Sequence, residues 1–413
     1  MAKFGFKSFN SWDPLKKAMV GSAFKHKWFW DHPDAKVRDA MNRINEETRE
    51  DLQNLENILV ERGIEVIRTP ETTYSNRREC NSVLEYMQTE GEIPKCRMSP
   101  RDEFIVLGEN LVLGRPGNMY NAWCDIDDTT VKQKAPWAGA DDFILSCDPY
   151  SHPDKHNPWY LEKFDMEPDE KPRLDGPCMV RTGRDISVDI EIQKAAGKTF
   201  CDRWLPEYNK KFGYNFRGHK IRFGRHSDGL MSIPRPGVIL SSVAVTNYEE
   251  TYPGWKVIRV QKPVNEYIEK FWDIKQNSKY IDDNGFMHKK YWVSGEEGNA
   301  SLNEFIDLHM NKNVGYAFET NFDVNTLSID ENTVITSGPN AEVERELAKV
   351  GIEVIIAPMR HRYFWDGGIH CNTVDLYREG DCEDYFPERG DQSLDFGKPY
   401  DENAAKLDND REL

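Results

Sequence analysis

Nowhere do about 18 apolar residues follow one another, so no helical membrane span is expected. An excess of positive charge is missing too: 54 Lys and Arg stand against 71 Asp and Glu, a formal net charge of -17. Such a chain repels phosphate backbones and anionic lipid, which argues against nucleic acid and membrane surfaces as partners. Paired cysteines are also lacking. The eight cysteines, at positions 80, 96, 124, 147, 178, 201, 371 and 382, include no C-x-x-C, so neither a disulfide framework nor a zinc cage is indicated. The opening residues, Met1 to Phe6, carry neither the apolar segment of a signal peptide nor an arginine-rich transit helix. These absences lead us to expect a cytoplasmic protein with reduced thiols.

What is present is enough for a sizeable core, with 38% hydrophobic and 12% aromatic residues. The most informative stretch is Phe364-Trp365-Asp366-Gly367-Gly368-Ile369-His370-Cys371-Asn372-Thr373. Two glycines allow a tight turn, and a cysteine follows at the mouth of a strand-like run, Thr373 to Tyr377. A thiol held on such an elbow is a candidate covalent nucleophile; the alternative is a small buried core residue.

Two supersecondary units recur. From Asp34 to about Arg62, Val37, Met41, Ile44, Leu52, Leu55, Ile58 and Leu59 are spaced for an amphipathic helix, followed by Gly63, the strand Ile64 to Arg68 and Pro70. Helix, Gly351, Ile352 to Ile356 and Pro358 repeat the pattern, sharing Gly-Ile-Glu-Val-Ile, and Gly254 to Pro263 is a looser copy. The second unit is a hairpin, read at 103–113, 178–188, 230–240 and 326–335. The strand Thr373 to Tyr377 requires the N-terminal strand near Val20 as its partner. Five modules of mixed hairpin, helix and strand fit a closed, fivefold pseudosymmetric α/β propeller around a central site.

Immediately before the hairpins stand Pro100-Arg101-Asp102, Leu174-Asp175-Gly176-Pro177, Arg225-His226-Ser227-Asp228 and Glu319-Thr320-Asn321-Phe322-Asp323, and Gly367 to Cys371 stands before the last strand. Modules disposed about one axis would gather these at one place, bringing together a cysteine, a histidine and several carboxylates. The whole chain, 1–413, then reads as one domain, with polar insertions at about 123–172 and 264–312 and an acidic tail at about 380–413. Cys147 to His156 is rich in metal-capable side chains, but its prolines favour a solvated loop.

These pieces resemble, in order and along nearly the whole chain, the amidinotransferase branch of the guanidino-group-modifying superfamily. The resemblance rests on Trp12-Asp13-Pro14-Leu15, Pro100-Arg101-Asp102, Arg181 to Asp185, His226-Ser227-Asp228, Pro236 to Ser241 and Gly367-Gly368-Ile369-His370-Cys371. It implies Cys371 as nucleophile, His226 as general acid and base, Asp175 as its carboxylate partner, and Asp102 and Asp228 as holders of a guanidinium. It also places Arg101, Asn321, Asp323, Gly368 and His370 around the substrate.

The implied reaction takes the amidino group from L-arginine to a primary-amine acceptor, such as glycine or another small amino acid. It runs through an amidino-cysteine, gives ornithine and a guanidino compound, and needs no metal or organic cofactor. The implied partners are small molecules, with a homodimer as the expected assembly. A deiminase-like hydrolase giving citrulline and ammonia, and an inert guanidino-binding propeller, are the alternatives. Three departures bear on the acceptor. Cys178 stands where a second aspartate is common, Ser241 to Val245 lacks an arginine for an amino-acid carboxylate, and Asn321-Phe322-Asp323 replaces small serines.

Overall fold

The computed structural model describes residues 5–113, 175–260 and 322–397 apart from 72, 76–77, 91–92, 192, 224–225, 243–244 and 246–247. It also describes 293–310 apart from 294 and 297, and the strands at 134–135, 140–143, 145–146, 279–281 and 287–289. Cys147 to His156, Asn321 and the tail beyond 397 lie outside these residues.

The fold is mixed α/β. Five of its sheets have three strands each, and four of these begin with an antiparallel hairpin followed by a parallel third strand. In chain order, the hairpins are Phe104–Leu107 with Asn110–Leu113, Met179–Thr182 with Asp185–Asp189, Met231–Arg235 with Val238–Ser242, and Leu327–Asp330 with Thr333–Thr336. Their third strands are Leu145–Ser146, Arg217–Ile221, Lys256–Val260 and Glu353–Ile356.

In the fifth sheet the chain closes on itself. Leu15–Val20 runs parallel to Glu65–Arg68 and antiparallel to Thr373–Arg378, with Val20 opposite Thr373, which is the terminal pairing the sequence called for. Leu145–Ser146 falls inside the stretch read as an insertion, yet it completes the first of the hairpin sheets.

The long helix Ala35–Glu61 is capped by the Asp34 carboxylate, which accepts the Lys36 N–H at 2.8 Å, and it buries Val37, Met41, Ile44, Leu52, Leu55 and Leu59. The helix Ala300–His309, within the second of the expected insertions, packs against the same core through Leu302, Phe305 and Ile306. The tail also contributes to the core: Phe386 and Phe396 are buried, and Arg217 donates to the carbonyls of Phe386 and Gly390. No helix among the described residues is long and apolar enough to cross a membrane.

The sheets are joined by one buried carboxylate. Asp375 accepts from Arg101 at 2.9 Å, Arg181 at 2.6 Å, Arg378 at 2.8 Å and the Ser8 hydroxyl at 2.9 Å. Burial opposes its charge, but the three guanidinium groups outweigh that and hold the carboxyl well below the usual carboxylate range. Arg101 and Arg181 come from two other parts of the chain to meet Asp375 and Arg378 of the closing strand, so the cluster ties these elements together.

Candidate active site

Each hairpin at 104–113, 179–189 and 231–242 is entered through a single turn of 3-10 helix: Pro100–Asp102, Gly176–Cys178 and Ser227–Gly229. The second of these turns touches each of the other two, and the first also touches the closing strand that carries Asp375. Gly176 permits the approach, since a Cβ there would lie 2.1 Å from the Arg101 carbonyl oxygen. The turns thereby bring Asp102, Asp175, Cys178, His226 and Asp228 into one neighbourhood.

Cys371 comes from the C-terminal part of the chain. The short helix Arg362–Trp365 ends at Asp366, whose φ of 54° is left-handed, and two glycines lead to the thiol just ahead of Thr373–Arg378. Asn325 pins this elbow. Its Oδ1 accepts the His370 N–H at 2.8 Å and the Cys371 N–H at 3.3 Å, while its Nδ2 donates to the Cys371 sulfur at 3.2 Å and to the Asp228 carbonyl at 3.1 Å. Gly368 is the counterpart, because a Cβ there would stand 2.5 Å from Asn325 Oδ1. Its contribution is room for that carboxamide.

The Cys371 sulfur lies 3.5 Å from Asp228 Oδ2, which also accepts from His370 Nδ1 at 2.7 Å. The other oxygen, Asp228 Oδ1, is buried with no hydrogen-bond partner among the described residues. Burial pushes the Asp228 carboxyl up, but the His370 hydrogen bond, with His226 and Arg101 nearby, holds it below its ordinary value. Burial and the Arg101 charge push His370 down. We therefore read Asp228 as ionised, its Oδ2 accepting a hydrogen bond from the Nδ1–H of a neutral His370 imidazole. Asp102 is the opposite case: burial raises its pKa, with Asp175 and Asp228 adding to the rise against Lys95 and His226.

A ring nitrogen of His226, a carboxylate oxygen of Asp175 and the Cys178 sulfur lie within 4.8 Å of one another. Gln193 donates from Nε2 to Asp175 Oδ2 at 3.1 Å and to Cys178 Sγ at 3.3 Å. The structure therefore gathers Cys371, Asp228 and His370 by direct contacts and His226 with Asp175 beside them, and the charge of Asp102 is felt by this group.

Arg101 and Asp323, also expected around the substrate, have protein partners in the structure. Arg101 turns inward, donating from Nε to the His370 carbonyl at 2.8 Å and from Nη2 to Asp375. Asp323 faces Asn340, Arg362 and Glu342. Asn325 and Gln193 were missed by sequence reasoning. Asn325 stands immediately ahead of the hairpin at 327–336, and a polar residue at that junction is the signal that could have found it.

No family model matches the chain. Among curated proteins it is similar to the mitochondrial glycine amidinotransferase of Gallus gallus, with 22% identity over 424 residues, 92% of this chain and 84% of that one. Among solved structures it is similar to SxtG, an amidinotransferase of saxitoxin biosynthesis from Microseira wollei, with a TM-score of 0.56 at 16% identity over 92% of this chain and 99% of that one. It is similar also to the inosamine-phosphate amidinotransferase StrB1 from Streptomyces griseus, with a TM-score of 0.52 at 17% identity and the same coverage, 92% and 99%. The sequence match spans nearly the whole chain, and the structural matches show a shared fold.

Proposed function

From a chain that resembles amidinotransferases in sequence and fold, we propose an enzyme that moves the amidino group of L-arginine to a primary amine. The five sheets then act as blades of a single fivefold pseudosymmetric propeller, and the turns at their inner ends form the site. The observation that carries the reading is Asp228. It is buried beside the Cys371 sulfur and, among the described residues, one of its carboxylate oxygens has no partner. A bare acceptor in such a place is costly unless a ligand brings donors, and a guanidinium brings a planar fork of N–H groups with a compensating charge.

In this reading Asp228 and Asp102 hold the guanidinium with its central carbon above the sulfur. Asn325 Nδ2 donates to the Cys371 thiolate before attack; the sulfur then adds to that carbon, forming a C–S bond as the C–N π pair withdraws onto nitrogen. His226, beside Asp175, protonates the δ-nitrogen of the leaving chain, since an alkylamide anion is too basic to depart unaided. The C–N bond breaks, ornithine leaves, and a cationic amidino-cysteine remains beside the carboxylates. His226 then takes a proton from the incoming amine, whose nitrogen attacks the amidino carbon and returns the electron pair to sulfur. The cycle is a two-step ping-pong exchange with no change of oxidation state. Arg101 holds the His370 carbonyl and thereby the elbow.

Purified protein given labelled arginine with and without a panel of primary amines decides between transfer and hydrolysis. Transfer yields ornithine and a labelled guanidino product that requires both an amine and Cys371. Citrulline formed without any amine overturns transfer.

A further inference from the structure

We propose that Asp175, Cys178 and His226 form a binding site for a soft divalent cation, Zn2+ above all, and that occupancy switches the enzyme off. These positions have no metal-binding spacing in sequence, and the sequence reading assigned the chain no metal. The fold makes the cluster, by packing the turn Gly176–Cys178 against Ser227–Gly229. A thiol, an imidazole and a carboxylate are a donor set that zinc accepts, with a fourth position left for water or substrate.

The geometry is close to what binding needs. The three ligand atoms lie within 4.8 Å of one another. Bonds of about 2.3 Å to sulfur and about 2.0 Å to nitrogen set tetrahedral ligands about 3.5 Å apart, so closure takes about 1 Å of side-chain movement. Gln193 already orients two of the three by donating to both Asp175 and Cys178.

The charges favour a cation as well. Cys178 is fully buried, with the carboxylates of Asp175, Asp189 and Asp228 around it. Asp102 adds another carboxylate near His226. A dication reverses this balance: the thiol gives up its proton to solvent, the sulfur binds metal, and the crowded negative charge is neutralised. The carboxylates proposed to attract a guanidinium thus attract a metal ion on the same electrostatic grounds.

The inhibitory half of the proposal rests on the transferase reading. A His226 nitrogen bound to zinc cannot carry a proton between ornithine, acceptor and solvent, so the rate falls while metal is bound and returns when a chelator removes it.

The test uses the full chain, stripped with chelator and then titrated. Zinc binding is measured by equilibrium dialysis, and Cd2+ reports thiolate ligation through its ultraviolet charge-transfer absorption. The wild type is expected to bind zinc and to show the cadmium band, and Cys371→Ser is expected to keep both. In Cys178→Ser the band disappears and affinity falls about 10- to 100-fold, in the range typical of a damaged site. Cys178→Asp restores a ligand oxygen and is expected to bind zinc without the band, which separates loss of a ligand from loss of fold. A band that survives in Cys178→Ser and vanishes in Cys371→Ser overturns the site, as does an absence of zinc binding. Zinc bound through Cys178 with an unchanged transfer rate overturns the inhibitory role. The binding measurements stand whether or not the protein proves to be a transferase.

Discussion

Asn325 holds Cys371 at both ends, donating to its sulfur at 3.2 Å and accepting its backbone N–H at 3.3 Å. A carboxamide so placed supplies a donor to a thiolate and fixes the direction in which the sulfur points. Asn325→Asp keeps the shape but sets a carboxylate against the sulfur. We expect the alkylation of Cys371 by iodoacetamide to shift to higher pH in Asn325→Asp, and kcat to fall about 10- to 100-fold. Asn325→Ala, which adds no charge, should show a smaller pH shift. Equal profiles for the two variants would mean that Asn325 serves only as packing.

Gly368→Ala tests the same contact from the other side. The added methyl would need the space of Asn325 Oδ1, 2.5 Å away. Overpacking of this kind costs about 1–3 kcal/mol, and the elbow must shift to relieve it. The expected outcome is a folded protein of lowered Tm whose kcat falls more than its KM for arginine rises. Combining Gly368→Ala with Asn325→Ala should recover part of the lost stability, because the obstacle is then gone.

Asp375 carries the charge balance of the centre. Replacing it with Asn leaves three buried guanidinium groups without their shared carboxylate, and breaking a buried pair costs about 3–5 kcal/mol. The pH dependence has a definite sign. Its carboxyl is depressed in the folded state, so its stabilisation is complete above the unfolded value near 3.9 and is lost as pH falls toward the depressed value. Urea unfolding from pH 7 down to pH 3 should therefore show a steep acid loss in the wild type and a shallower one in Asp375→Asn.

Asp102 gives a pH effect on binding. Its pKa is raised in the empty site, chiefly by burial, and a guanidinium bound beside it favours the charged form. Arginine affinity should then be full above the raised value and weaken as pH falls through it, with one proton released on binding in that range. KM for arginine measured across mildly acidic pH should rise on the acid side in the wild type. Asp102→Asn should have a higher KM that lacks this acid rise.

Much of the fold was legible because its signals are local. Periodicity over Val37 to Leu59, the shared Gly-Ile-Glu-Val-Ile strands and the hairpin turns each declare themselves within a few residues. The elbow at Cys371 and the turns bearing Asp102, Asp175 and Asp228 were legible for the same reason. Leu145–Ser146 was not, since a strand of two residues has no period to read and owes its existence to its neighbour Val112–Leu113. The Asp375 cluster was hidden because its arginines are spread from Arg101 to Arg378, and only the closed arrangement makes them neighbours.

Asp323 marks the limit most clearly. The segment ahead of the hairpin at 327–336 was expected to face the substrate through Asn321 and Asp323; Asn321 lies outside the described residues, and the side chain seen on the thiol is Asn325. Asp323 faces Asn340 and Arg362, and burial raises its carboxyl. If these contacts are its role, Asp323→Asn should leave kcat/KM within about twofold of the wild type. A loss greater than about tenfold would return Asp323 to the substrate wall.

The pairing of Leu15–Val20 with Thr373–Arg378 governs when the molecule becomes reactive. During synthesis the early strand waits, with one edge open, until almost everything described here has left the ribosome. The segment that finally fills that edge is the one that delivers Cys371. On the proposed reading, a chain stalled or cut short of it has neither a finished sheet nor the sulfur that attacks. Chemistry and completion of the fold arrive together.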